Sequence, residues 1–143
     1  MCDKLIHVVI KYVLKSVLLV LFLTPQTAFA ESLQGSWKLL SGEYVNAEGK
    51  VVEYDSLKLN AIKVLSDSHF SFVSMSERNF WASGAGTYMA IDGWYIETPT
   101  LNSFNSDPTK QYKFQYTLNE NVWTLERWHD GTRVEFEVWQ KTG

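Results

Sequence analysis

From Gly35 onward the chain alternates apolar and polar side chains at period two, in short segments separated by turn residues. That is the pattern of strands with one buried face. Eight segments carry it: 35–46, 58–65, 69–75, 84–91, 94–98, 110–118, 122–129 and 132–141. The breaks between them are Asn46-Ala47-Glu48-Gly49, Ser66-Asp67-Ser68, Asp92-Gly93, Asn119-Glu120-Asn121 and Asp130-Gly131. Two contain Asp-Gly, which favours a tight hairpin because both residues tolerate the left-handed backbone that such a turn needs. No intervening segment is long enough for the crossover helix that parallel strands require, so the sheet is expected to be antiparallel and hairpin-connected. Its edges have to be hidden, either by closing into a barrel or by folding into a sandwich. The stretches 51–56 and 99–109, rich in Ser and Asn and carrying Pro99 and Pro108, read as loops at a barrel mouth.

The start of the chain follows another pattern. Lys4, Lys11 and Lys15 stand against only Asp3, and an uninterrupted apolar run follows over 17–23. A basic lead, a short apolar core and the small residues of Ala28-Phe29-Ala30 predict a secretory signal peptide over 1–30, cleaved after Ala30. The run is far shorter than the roughly 20 residues a helix needs to span a bilayer, so no stable membrane anchor is expected after cleavage. Cys2 precedes the apolar core, which does not suit a lipoprotein anchor. The expected organisation is a leader over 1–30, one domain over 31–143, and a periplasmic or secreted location.

Cleavage changes the balance of charge. Losing Lys4, Lys11, Lys15 and Asp3 leaves ten Lys and Arg against fifteen Asp and Glu, a net charge of −5. An acidic domain with no basic run lacks the electrostatic footprint of a nucleic-acid or anionic-membrane binder. No cysteine remains, which excludes disulfides, thiolate metal sites and a thiol nucleophile. Stability then rests on the core, for which six Trp, six Tyr and six Phe remain, each able to bury on the order of 150–250 Å².

Leu33-Gln34-Gly35-Ser36-Trp37-Lys38-Leu39 places Gly-x-Trp at the start of the first strand, which resembles the opening motif of lipocalins and their calycin relatives. With His69-Phe70-Ser71-Phe72-Val73-Ser74, Phe80-Trp81-Ala82-Ser83-Gly84-Ala85-Gly86-Thr87-Tyr88 and Glu137-Val138-Trp139, nearly the whole domain is similar to bacterial secreted lipocalin-like domain proteins. The resemblance implies an all-β fold, an eight-stranded antiparallel lipocalin-like barrel. In it Gly35 turns the backbone into the first strand and Trp37 plugs the narrow end. It also implies a basic side chain over that tryptophan, with Arg127 preferred and Lys141 the alternative. The domain is shorter than a typical lipocalin and lacks the family's disulfide and C-terminal helix, which leaves less room for a large cavity.

Specific chemistry is sparse. His69 and His129 lie far apart, each next to a turn, and read as solvated, so no metal site is expected. Gly84-Ala85-Gly86-Thr87-Tyr88-Met89 begins like a dinucleotide fingerprint, but Met89 replaces the third glycine. No nucleophile elbow or zinc-binding His-Glu-x-x-His helix occurs. Glu43 and Glu97 sit in aromatic-rich strands where alternation could turn either inward, whereas Glu126, Glu135 and Glu137 read as solvent-face charges of the final hairpin. Tyr44, Phe72, Trp81, Tyr88, Tyr95, Phe114, Trp123 and Trp139, with Glu97 and Arg127, are the candidate wall of a ligand pocket.

The leading expectation is a binding protein for a small hydrophobic or amphipathic molecule, with no catalytic residue and no cofactor. A filled barrel acting through its surface, with Phe104 and Trp128 as contacts, is the alternative, and an enzyme using Glu43, Glu97 or a tyrosine is the third. Protein partners and the identity of the ligand are not legible in the sequence.

Overall fold

A computed structural model describes residues 32–104 and 107–143, and the signal-peptide reading of 1–30 lies outside the described residues. The described chain is all strand and turn: β1 (Gly35–Val45), β2 (Val51–Glu53), β3 (Leu59–Leu65), β4 (His69–Ser76), β5 (Asn79–Ile91), β6 (Trp94–Asn102), β7 (Tyr112–Asn119), β8 (Val122–His129) and β9 (Thr132–Lys141). Every pairing is antiparallel and, from β3 on, joins sequence neighbours. β1 closes the circle. Its first four residues pair with β3 and most of its length with β9, from Trp37 opposite Lys141 to Tyr44 opposite Glu135. Eight strands therefore form a closed antiparallel barrel, which removes the exposed edges.

The turns follow their residues. Asp92-Gly93 and Asp130-Gly131 each link directly paired strands, with all four φ angles between 47° and 77°, the left-handed geometry of the tight hairpin. Gly35 enters β1 at φ +127°, where a Cβ would lie 2.3 Å from the Gly143 carbonyl oxygen.

Three boundaries differ from expectation. Val51–Glu53, read as part of a loop, is strand β2, which pairs with the end of β1 that β3 does not reach. β5 begins at Asn79 rather than Gly84, so Phe80 and Trp81 belong to the sheet. β6 runs on through Pro99 to Asn102. Proline is tolerated there because pairing with β7 has already ended at Glu97, and β5 opposite bulges between Ala85 and Gly86. No ladder donor is missed.

Bulges also decide which side chains face inward. In β1, Trp37 and Leu39 are buried, the register slips between Leu39 and Ser41, and the buried position becomes Gly42. The slip turns Tyr44 inward and Glu43 outward, where Glu43 accepts from Arg133 Nη2 at 2.7 Å. A slip between Arg127 and Trp128 in β8 ends the inward series there.

One end of the barrel is solid. Trp37, Tyr95 and Trp123 are fully buried, with Trp37 and Trp123 centroids 5.3 Å apart and Tyr95 edge-on to Trp123 at 4.8 Å. Trp139, Phe114, Leu125, Leu65 and Phe70 complete the layer. Trp37 lies in this layer, donating its indole N–H to the Leu33 carbonyl at 2.8 Å. The cation beside it is Lys141, with Nζ 5.4 Å from the ring. Arg127, the preferred candidate, instead lies 5.8 Å from the Tyr112 ring. β8 runs away from the plugged end, and Arg127 is four residues beyond Trp123, too far along the strand to reach Trp37.

Candidate functional site

Above the aromatic plug the barrel is hollow. A cavity of about 370 Å³ opens at the other end, between the last residues of β1, β4, β6 and β8 and the first of β3, β5, β7 and β9. Its wall is mostly apolar and aromatic, with Leu39, Tyr44, Leu59, Phe72, Trp81 and Tyr112 among the contributors. Such a volume falls within the range of small-molecule sites.

The floor is charged. Lys63 on β3 is only 4% exposed, and its Nζ donates to Glu97 Oε1 at 2.8 Å and lies 4.0 Å from Glu137 Oε2. Four rings surround that ammonium, those of Phe72, Tyr95, Trp123 and Trp139, with centroids 5.0–5.9 Å away. The carboxylates have further donors: Tyr95 Oη to Glu97 at 2.8 Å, Trp139 Nε1 to Glu137 at 2.9 Å and Tyr54 Oη to Glu137 at 3.4 Å. Nearer the mouth, Arg127 Nε donates to Glu135 Oε2 at 2.7 Å. Tyr54 reaches the floor because β1 has Gly42 beneath it, where a Cβ would lie 2.5 Å from the ring.

Burial and neighbouring charge set the protonation of this layer. Burial alone would depress the Lys63 ammonium, but Glu97 and Glu137 outweigh it and hold it above the usual lysine value. Burial, with Glu97 next, pushes the Tyr95 phenol well up, and burial with Glu137 and Glu135 does the same to Tyr54. Burial also dominates at Glu137, against Lys63 and with Glu135, and raises its carboxyl from 4.5 to about 7. One carboxyl on the floor therefore exchanges its proton near neutrality.

Seven of the ten anticipated pocket residues line the cavity: Tyr44, Phe72, Trp81, Glu97, Phe114, Arg127 and Trp139. Tyr95 and Trp123 lie beneath it in the plug, and Tyr88 points toward the closed end, donating to the Ser66 carbonyl at 2.7 Å. Glu135 and Glu137, read as solvent-face charges, are inward, with side chains 19% and 13% exposed. Phe104, read as a surface contact, stands over the wall, its ring centroid 6.3 Å from Phe72 and 6.1 Å from Tyr112. Trp128 is on the outside, half exposed. His69 and His129 are exposed, with Ser68 and Asp130 respectively as neighbours.

Lys63 and Tyr54 were not singled out in the sequence, although Lys63 shares the phase of Leu59, Ala61 and Leu65. No known protein family matches the chain, no curated protein is significantly similar to it in sequence, and no solved structure matches its fold at a significant level.

Proposed function

We propose that this chain is an exported, lipocalin-like binding protein that carries or sequesters one small amphipathic molecule in the open half of its barrel. The observation that carries the reading is the cavity: an aromatic wall above a floor of hydrogen-bonded charges, in a barrel whose other end is solid. Binding sites of this kind bury most of an apolar ligand and orient it with a few polar groups. Glu97 and Glu137 each accept hydrogen bonds from neighbouring side chains that fix them in place, which suits recognition rather than turnover. A hollow barrel also weighs against the alternative of a filled barrel acting only through its surface.

Export and cargo are read in one experiment, native mass spectrometry of the full chain expressed in a bacterium and recovered gently. The expected mass is that of residues 31–143 plus one adduct that departs on mild denaturation. An intact leader in all the recovered protein contradicts export. A bare domain that also takes up no apolar compound added afterwards contradicts the binding reading.

A further inference from the structure

The charges around the cavity do not balance. Among the described residues, Lys63 on β3, Arg127 on β8, Glu97 on β6 and Glu135 and Glu137 on β9 face one another from four parts of the barrel: two cations against three carboxyl groups. Lys63 is committed to Glu97 and Arg127 to Glu135, at 2.8 and 2.7 Å. Glu137 is left with the phenol of Tyr54, the indole of Trp139 and a distant share of Lys63. Tyr95, the remaining titratable group of the floor, is spent on Glu97. A buried carboxyl without its own counter-ion is costly unless it is neutralised by a proton or by an added cation.

The surrounding rings suit the second option. The floor already holds one ammonium, that of Lys63, within 6 Å of four aromatic centroids. The cavity lining that includes Glu137 offers more π faces, with Tyr44 and Tyr54 centroids 6.0 Å apart and Tyr112 in the same lining. Aromatic faces beside a carboxylate are the usual surroundings of a bound ammonium group.

We infer that the ligand is a cationic amphiphile, an apolar or aromatic body carrying one protonated amine, whose ammonium group pairs with Glu137 at the cavity floor. The inference rests on the binding reading above and narrows it to a chemical class. Binding couples to the proton on Glu137, because the incoming cation takes the place of that proton. Affinity for an amine therefore rises with pH as Glu137 ionises, for as long as the amine itself stays protonated.

Three probes of similar shape test this: 4-phenylbutylamine, 4-phenylbutanol and 4-phenylbutanoate, titrated calorimetrically into the purified full chain at pH 6 and pH 8. At pH 6 the measurement is made in two buffers of different ionisation enthalpy, which counts protons. The expected result is that the amine binds tightest, releases close to one proton at pH 6, and gains about tenfold in affinity at pH 8. In Glu137→Gln the proton release disappears and amine affinity falls toward that of the alcohol for the parent chain. An alcohol or a carboxylate that binds as tightly as the amine, or amine binding without proton release, overturns the cationic class and leaves the binding reading standing. Failure of all three probes to bind overturns both.

Discussion

Replacing Lys63 with Met is expected to lower the stability of the barrel at pH 8 by about 3–5 kcal/mol, the usual cost of removing one partner of a buried ion pair. Met fills much of the volume of the lysine stem, so the loss comes from charge rather than from a cavity. Glu97, 8% exposed, and Glu137 then face each other across the floor without their shared cation. Glu137, already raised by burial, loses the opposing pull of Lys63 and is driven further toward its protonated form, so the folded variant holds a proton that its unfolded chain releases. By linkage, the penalty is largest at pH 8 and shrinks toward pH 5. Urea unfolding at the two pH values checks the size and the sign, and thermal midpoints should fall by roughly 10 °C or more. Adding Glu97→Gln removes one of the stranded charges and should restore a large part of the loss, a coupling expected only of residues in direct contact. A Lys63→Met protein as stable as the parent at pH 8 would show that the floor is not held by charge.

The second large effect concerns Glu137. Its carboxyl is raised in the folded protein from 4.5 to about 7, by burial above all. Between those values the folded chain keeps a proton that the unfolded chain has lost. The contribution of this group is therefore fully present below about pH 4.5, is lost as pH rises to about 7, and is flat beyond. At about 1.4 kcal/mol per unit, the change across that window is on the order of 3 kcal/mol. Glu137→Gln cannot ionise and still accepts a hydrogen bond, so it should match the parent near pH 4.5 and exceed it at pH 8 by that order. Unfolding free energies at pH 5, 6, 7 and 8 check this, and parallel pH profiles for the two proteins would contradict it.

These two side chains also mark where the sequence stopped being informative. The hairpins were legible because Asp92-Gly93 and Asp130-Gly131 admit few other conformations. An antiparallel sheet with hidden edges followed from eight alternating segments without room for helices, and the choice of a barrel over a sandwich came from the resemblance carried by Gly35-Ser36-Trp37. Facing was harder. In β9 the apolar residues Val134, Phe136 and Val138 share one phase and Glu135, Glu137 and Trp139 the other, and the general preference of charges for water assigned the carboxylates to solvent. Trp139 held the contrary signal: placed inward, as it was, it carries Glu137 and Glu135 with it, since side chains two apart share a face. β3 gave no contrast to read, because Ile62 and Val64 are apolar and outward, 51% and 47% exposed, while Lys63 between them is buried.

The bulges were invisible for a different reason. A single extra residue in β1 moves Tyr44 into the cavity and Glu43 out to Arg133, and no residue type in Leu39-Leu40-Ser41 announces it. The bulge is fixed by closure of β1 onto β9, a long-range constraint. The choice of Arg127 over Lys141 as the partner of Trp37 failed likewise, since it depends on which end of β8 and β9 lies beside the plug.

The account stands on the cavity being a binding site, and the most direct measurement is a titration with the neutral apolar fluorophore N-phenyl-1-naphthylamine, followed by the emission of Trp81 and Trp139 on the cavity wall. One saturable site per chain is predicted, and it should be lost in Ala82→Trp, which fills the cavity from β5 while the sheet remains folded by circular dichroism. No binding to the parent chain, or equal binding to a folded Ala82→Trp, would contradict the account.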